Sequence, residues 1–363
     1  MTKGVEAIQE RKRFCKSEGF MKDKILSIGG LSLPIPCVLA PISGVSDLPF
    51  RMINRLFGAP FAFAEMIDAK ALSILDRRTR DMMLSGSGDR PLGIQLLAGN
   101  SYDAARALET LNCFEYDLLD FNAACPAPKV VRKGKGAALL RDPQKLGEIL
   151  KTLVRESPVP VTVKIRSGWD SGSVNAREVS LHAEDAGISG LFIHGRTRVQ
   201  GYSGTVNYTT IKNVKAAVRV PVIASGDNLD VVRVQRMFDV TDCDGVAIAR
   251  GSFGNPWIFR DLNCFFLDGS PGEDPGVWAR LAVMKHHLNL LVCHYGEDRG
   301  LSVFRKFFIW YTKGIRRSRV LRDRAFRAGE LKEMYALIDE VARFADSIPV
   351  CKERREVNGE TVS

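Results

Sequence analysis

The sequence is as informative in what it lacks as in what it holds. Its 363 residues include eight cysteines, at 15, 37, 113, 125, 243, 264, 293 and 351, yet none form a C-x-x-C pair. That scatter argues against a zinc ribbon or a disulfide scaffold and points to reduced cytosolic thiols. No apolar run approaches the roughly 20 residues of a membrane span. The first twenty residues carry Lys3, Arg11, Lys12, Arg13 and Lys16 among Glu6, Glu10 and Glu18, with no apolar stretch between them. That pattern is neither a secretion signal nor a transit peptide, and 1–22 reads as a polar, solvated extension. No G-x-G-x-x-G follows the first apolar segment, which removes the main support for a doubly wound dinucleotide fold.

What is present is a series of short apolar runs rich in β-formers: 36–40, 61–64, 92–95, 118–122, 161–165, 191–194, 221–224 and 245–248. Each is too continuously apolar for a sheet wet on one side, so each reads as a buried parallel strand. Stretches of helical spacing, such as 143–155 and 228–238, lie between them. Eight such βα units predict an α/β fold of the (β/α)₈ TIM-barrel type. Ahead of them, KILSIGGLSL (24–33) places Gly-Gly between two short apolar segments, a hairpin expected to cap the barrel floor. The Gly- and Pro-rich segment 267–276 reads as a linker. Beyond it Val277, Leu281, Met284, Leu288 and Leu291 take helical spacing, as do Leu331, Met334, Ile338 and Val341. The expected organisation is therefore a barrel over 23–266, a small C-terminal helical bundle over 275–347 and a flexible tail over 348–363.

The formal charge is +10, and its distribution is uneven. From Arg305 to Arg327 nine basic residues stand against one acid, Asp323, and Lys129, Arg132, Lys133 and Lys135 form a second group. A charge run is ordinarily a solvated face. Two runs, one following Cys125 directly, favour a nucleic-acid partner.

In a TIM barrel the chemistry lies where strands end. Those ends carry Pro41, Ile42 and Ser43 after the first run, Gln95 on the third, and Asn122 and Cys125 after the fourth. Lys164 and Arg166 follow on the fifth, His194 on the sixth, Ser225, Gly226 and Asp227 on the seventh, and Ala249 and Arg250 on the eighth. Singly, a Gln or Asn is a turn residue, a His a satisfied structural group, and a Cys a small buried hydrophobe. Lys164 is different: an ammonium between Val163 and Ile165 in a buried strand needs an anionic partner or a ligand. The glycine-bearing seventh and eighth ends suit a phosphate held by backbone N–H groups, with Arg250 adding a charge-assisted contact. Reduced flavin mononucleotide, anionic at ring and phosphate, suits these groups better than a sugar phosphate, though spacing alone leaves both open.

Seven of these segments together resemble the tRNA-dihydrouridine synthase family, most of all its bacterial B-type. They are LAPISGVSDLPFR (39–51), IQLLAGN (94–100), DFNAACPAPKV (120–130), VTVKIRSGWD (161–170), FIHGRTRVQGYSG (192–204), IASGDN (223–228) and GVAIARGSFGNPWIF (245–259). FRKFFIWYTKG (304–314) resembles the helical domain of the B-type. The resemblance implies bound FMN, NADPH as reductant and a D-loop uridine of tRNA as substrate. It implies that Pro41, Ile42 and Ser43 line the flavin, that Gln95 bonds its ring, and that Lys164 sits at its reducible edge. His194 would contact the ribityl-phosphate side, with Ser225, Gly226, Asp227, Ala249 and Arg250 on the tail. Asn122, Arg166 and Tyr202 would lie near the uracil, Cys125 would be the general acid, and Arg316, Arg317 and Arg319 would contact tRNA. A monomeric, cytoplasmic enzyme with neither metal nor membrane partner is expected.

The chemistry agrees with that assignment. C6 of uracil is the electrophilic end of an enone, so hydride delivered there builds charge toward O4, and C5 then needs a proton. A cysteine in ordinary surroundings is mostly protonated at neutral pH and can be that acid. Three departures from the family pattern stand out. Ala124 replaces the glycine before the cysteine, a change that a positive φ would penalise. Ile42 replaces a methionine whose backbone is the expected contact, and Ser225 replaces an asparagine. Two rival readings are a flavin barrel acting on a free pyrimidine, which would not need the basic helical segment, and a non-catalytic flavin- or RNA-binding regulator, against which Cys125 and Lys164 speak.

Overall fold

The computed structural model describes residues 24–270, 272–315 and 318–347. The polar extension and the tail expected at 348–363 lie outside them, as do Arg316 and Arg317. The chain divides into two compact units, 1–274 and 275–363.

The first unit is a closed barrel of eight parallel strands flanked by helices, the (β/α)₈ architecture the apolar runs predict. Two short strands precede it, β1 (Leu26–Ile28) and β2 (Leu31–Leu33). The barrel strands are β3 (Cys37–Leu39), β4 (Ala62–Asp68), β5 (Leu92–Leu97), β6 (Leu118–Asn122), β7 (Val161–Arg166), β8 (Gly190–His194), β9 (Val222–Ser225) and β10 (Gly245–Ile248). Each pairs with its sequence neighbour, and β10 closes on β3 through Val246 opposite Cys37. Crossover helices cover the outside, which is why β5 and β6 are buried at every position.

The β1–β2 hairpin turns on Gly29 and Gly30, both at positive φ, the two-residue geometry that suits twisted strands. Its Leu26, Ile28 and Leu33 join Phe61, Phe63, Leu118, Phe192, Ile223 and Ala247 in one buried cluster. Phe63 meets Phe61 and Phe192 edge-on at 4.9 and 5.4 Å. Gly93 makes room for them, since a Cβ there would stand 2.3 Å from the Phe63 ring. Ile28 and Leu26 lie against Gly190 and Gly245, the first residues of β8 and β10, so the hairpin plugs the N-terminal end of the barrel. Truncating Phe63 to alanine would cost about 3–5 kcal/mol. With that end filled by apolar packing, the polar residues gather at the other.

Side-chain caps start several crossover helices: Asp47 accepts from Phe50 N, Asn100 from Asp103 N, and Asp142 from Lys145 N. The last barrel helix, Trp257–Asp268, runs two residues beyond the expected end of the barrel and stops on Gly269 in the left-handed conformation.

The second unit contains, among the described residues, helices Gly276–Tyr295, Glu297–Tyr311, Ser318–Arg327 and Leu331–Glu340, then a 3₁₀ turn over Val341–Ser347. Met284, Leu288, Leu291, Phe304, Phe307, Phe308 and Ile338 form its core. Gly300 allows the first two helices to touch, because a Cβ there would meet the Leu291 carbonyl at 2.9 Å.

Candidate active site

The mouth is built on neighbouring strands in register. Gln95 pairs with Asp120, Asp120 with Thr162, and Asn122 with Lys164. Side chains two residues apart share a face, so Asp120 and Asn122 project together from β6. Their polar groups join end to end. Asp120 accepts from Thr162 Oγ1 at 2.7 Å and from Gln95 Nε2 at 2.6 Å. Gln95 Oε1 accepts from Asn122 Nδ2 at 2.7 Å. Asn122 Oδ1 then accepts the backbone N–H groups of Ala124 at 3.0 Å and Cys125 at 2.8 Å. The half-buried thiol of Cys125 is thereby tied to the strand wall.

Gly136, at positive φ, packs beneath this loop, where a Cβ would stand 2.8 Å from the Cys125 carbonyl. Ala124 is not among the described non-glycine residues with positive φ, Leu75, Asp227 and Asp242. Its methyl group is therefore accommodated without backbone strain.

Burial controls the charges here. It pushes the Asp120 carboxyl up to about 6, opposed by the bonds from Gln95 and Thr162 and by Lys164. It pulls the Lys164 ammonium down to about 8, with Asp120 opposing. Lys164 makes no side-chain hydrogen bond or ion pair among the described residues. His194 is held neutral, lowered to about 2 by burial first and then by Arg166, Lys164, Arg196 and Arg250. Two of these four cations, Arg196 and Arg250, share the Asp227 carboxylate.

Arg166, 2% exposed, bonds the Ala124 carbonyl at 2.7 Å, Gly201 at 2.8 Å and Thr197 at 3.2 Å. It clamps the Cys125 loop to the 195–204 loop, and its Nη2 makes no hydrogen bond among the described residues. That second loop carries Tyr202, 62% exposed, with its ring 5.5 Å from the guanidinium carbons of Arg166 and Arg250. The ring lies 6.1 Å from that of His194.

On the β9 and β10 side, Gly226 has φ +121, and a Cβ there would stand 2.8 Å from Val206 and 3.0 Å from the His194 ring. Gly251 lies against the Asn228 carbonyl, 2.4 Å from where its Cβ would be. Asp227 bridges Arg196 and Arg250, each at 2.5 Å. The backbone N–H groups of Gly226 and Asp227 have no acceptor among the described residues. Ser225 pairs with His194 in the ladder, and Ala249 opens the turn Arg250–Ser252. Pro41 and Ile42 are half-buried and Ser43 is exposed at the end of β3. The Ile42 N–H donates to Ser46 Oγ at 2.9 Å.

The structure thus gathers Gln95, Asn122, Cys125, Lys164, Arg166, His194, Tyr202, Asp227 and Arg250 around one opening. Asp120 escaped notice in the sequence, although it shares the signal that marks Lys164: a charge inside a buried run needs a partner. Arg196 stood in plain view at a strand end, and its ion pair with Asp227 was not visible. Glu65 was also missed; it accepts the Gly44 N–H and steadies the turn after β3.

The basic groups are less free than their number suggests. Lys135 is buried in a bidentate pair with Asp68 at 2.8–2.9 Å. In the helical unit Arg305 bonds the Ala328 carbonyl at 2.9 Å, Arg322 bonds Thr312 Oγ1 at 3.0 Å, and Arg324 pairs with Glu340 at 2.8 Å. Lys313 and Arg319 are exposed. The run from 305 to 327 is therefore partly internal scaffold.

Fold and mouth define a parallel-barrel enzyme with a thiol beside a group of cationic side chains. A model of the dihydrouridine synthase family matches residues 38–347, and the chain belongs to that family of oxidoreductases. Among curated relatives it is 36% identical to tRNA-dihydrouridine synthase B of Pseudomonas aeruginosa, over 79% of this chain and 86% of that one. It is 33% identical to a probable tRNA-dihydrouridine synthase of Rickettsia bellii, over 89% and 99% of the two chains. Of solved structures, the old yellow enzyme of Trypanosoma cruzi aligns with TM-score 0.52 at 10% identity, covering 71% of this chain and 94% of that one. That likeness concerns the barrel fold alone. Among the described residues no helix is long and apolar enough to cross a membrane, and no cluster of His, Cys, Asp and Glu could hold a metal ion.

Proposed function

We propose that this protein is an FMN-dependent tRNA-dihydrouridine synthase, which reduces the C5=C6 bond of a D-loop uridine at the expense of NADPH. The observation that carries the reading is the thiol of Cys125, held by Asn122 beside the uncommitted ammonium of Lys164.

The residues fit the cofactor. The unpartnered N–H groups of Gly226 and Asp227, together with the Arg250 guanidinium, suit a terminal phosphate. Gly226 and Gly251 bring the backbone here close against Val206, His194 and Asn228. Lys164 suits the electron-rich edge of the ring, and neutral His194 can bond the chain between ring and phosphate. Gln95, with one N–H committed to Asp120, keeps the other for the ring. Pro41, Ile42, Ser43, Ser225 and Ala249 complete the lining in this reading.

When bound and reduced, FMN supplies the hydride for C6 of uracil. The protein does the rest. Asn122 and the Nη2 of Arg166 orient the uracil, and Tyr202 offers a face for a base turned out of its stack. The Cys125 thiol gives its proton to C5 and the resulting thiolate is reprotonated from solvent. Lys164 and Arg166 stabilise charge that builds toward O4, an effect strengthened by their burial. Arg316, Arg317 and Arg319 of the helical unit contact tRNA phosphates in this reading, and the enzyme acts as a cytoplasmic monomer.

The test uses purified protein, FMN, NADPH and an unmodified tRNA transcript, with dihydrouridine mapped by mass spectrometry. Dihydrouridine in the D loop is the expected product. NADPH oxidation coupled to reduction of free uracil, with tRNA left unmodified, would overturn the reading in favour of the free-pyrimidine rival.

A further inference from the structure

The buried chain of side-chain hydrogen bonds has a direction, and its direction is set from below. Asp120 and Gln95 are each 1% exposed and Asn122 is 5% exposed, so water is a poor substitute for the partners they have. An ionised carboxylate only accepts, which obliges Gln95 to present Nε2 to Asp120 and Oε1 to Asn122. Asn122 must then donate through Nδ2, leaving Oδ1 for the N–H groups of Ala124 and Cys125. Reversing the first amide would reverse the second, and Asn122 would aim Nδ2 at two backbone donors. Inner layers of a TIM barrel are ordinarily filled by branched apolar side chains. A carboxylate in that place, whose bond from Gln95 continues through Asn122 to the Cys125 loop, calls for a role.

We propose that Asp120 is a positioning residue, whose acceptor-only carboxylate fixes the orientation of both amides and so holds the Cys125 loop in place. This rests on the reading of Cys125 as the acid, and it adds a residue outside the mouth that acts through Gln95 and Asn122. Both amides face the opening with one chemical polarity because of it. Gln95 offers a donor there, and Asn122 leaves its oxygen to the loop.

Asparagine at 120 can keep this direction. Its oxygen would accept from Gln95, while its Nδ2 would meet Thr162 Oγ1, whose hydroxyl turns its proton toward the Leu119 carbonyl, 3.5 Å away. Leucine cannot keep it, and neither can Asp120→Val combined with Thr162→Val, which leaves Gln95 Nε2 no acceptor on β6 or β7. Residue-resolved hydrogen exchange on the protein, with and without FMN, reads the outcome at the Ala124 and Cys125 amides. Asp120→Leu should raise exchange of both by about tenfold or more while helix Pro143–Glu156 stays protected. Asp120→Asn should leave both protected. Where the leucine variant does not fold, the double variant supplies the same contrast. In turnover on tRNA, kcat should fall about tenfold in the leucine or double variant, with KM for tRNA held, and less in Asp120→Asn. Protected amides in the disruptive variants, or an asparagine variant as exposed as leucine, would overturn the proposal. A wild-type protein inactive on tRNA would instead overturn the functional reading, and the exchange measurement would still decide the role of Asp120.

Discussion

Asn122 Oδ1 accepts the backbone N–H of Cys125 at 2.8 Å, so the strand residue three positions earlier holds the thiol-bearing loop. Because that anchor is a backbone bond, it survives removal of the thiol. Cys125→Ala should therefore fold, bind FMN and oxidise NADPH as the wild type does, while uridine reduction falls by about 10²-fold or more, the usual contribution of a general acid. Rapid-reaction measurement of the two half-reactions separates these steps. Full dihydrouridine formation by the alanine variant would remove Cys125 from the acid role.

Lys164 stands in the mouth with its pKa lowered to about 8 by burial, against the pull of Asp120. It carries its charge below that pH and loses it above. FMN affinity in the wild type should therefore fall as pH rises from 7 to 9, by up to about tenfold if the ammonium is the main contact. Lys164→Met should bind FMN more weakly at pH 7 and lose that dependence. Fluorescence titration of FMN measures both. An equal pH dependence in the two proteins would place the ammonium away from the flavin.

The sequence made the barrel legible because buried parallel strands have no polar face to interrupt them. All eight apolar runs became strands, and the Gly-Gly turn became the floor hairpin. Strand-end residues were legible for a related reason: their positions in register predict convergence. Partners across strands were not. The bond from Gln95 to Asp120 spans 25 residues, and that from Arg196 to Asp227 spans 31. Charge counting overstates the uncommitted cations of the helical unit for a different cause. It registers acids but not backbone carbonyls, and carbonyls take up Arg305 and part of Arg322.

That distinction separates two groups of arginines by experiment. Replacing Arg316, Arg317 and Arg319 by alanine should weaken tRNA binding and reduce the slope of log K against log salt by about 0.7–0.9 for each phosphate no longer neutralised. Arg324→Ala removes the pair with Glu340 instead, and its main effect should be on thermal stability. Filter binding across a salt series, beside thermal melts, reads both. An unchanged slope in the triple variant would move the RNA-binding face elsewhere.

The helical unit also contains a titratable group that sequence spacing passed over. His287 is fully buried, its Nδ1 lies 3.1 Å from the Tyr311 hydroxyl, and its ring centroid is 4.3 Å from that of Phe307. Burial lowers its pKa to about 3, aided by Lys306 and His286, so it stays neutral in the fold. The unfolded chain takes up a proton at this residue below about pH 6.5. The sign follows: the contribution of His287 is fully present above pH 6.5 and is lost as pH falls toward 3, by at most about 1.4 kcal/mol per unit. Asp120, raised to about 6, acts in the opposite sense between 6 and 4. It is common to both proteins when wild type is compared with His287→Gln, so it cancels. The glutamine variant should be less stable at pH 7.5, and the gap should narrow at pH 5. Denaturant titrations of both proteins at the two pH values measure it, and a constant gap would mean that His287 does not stay neutral in the folded protein.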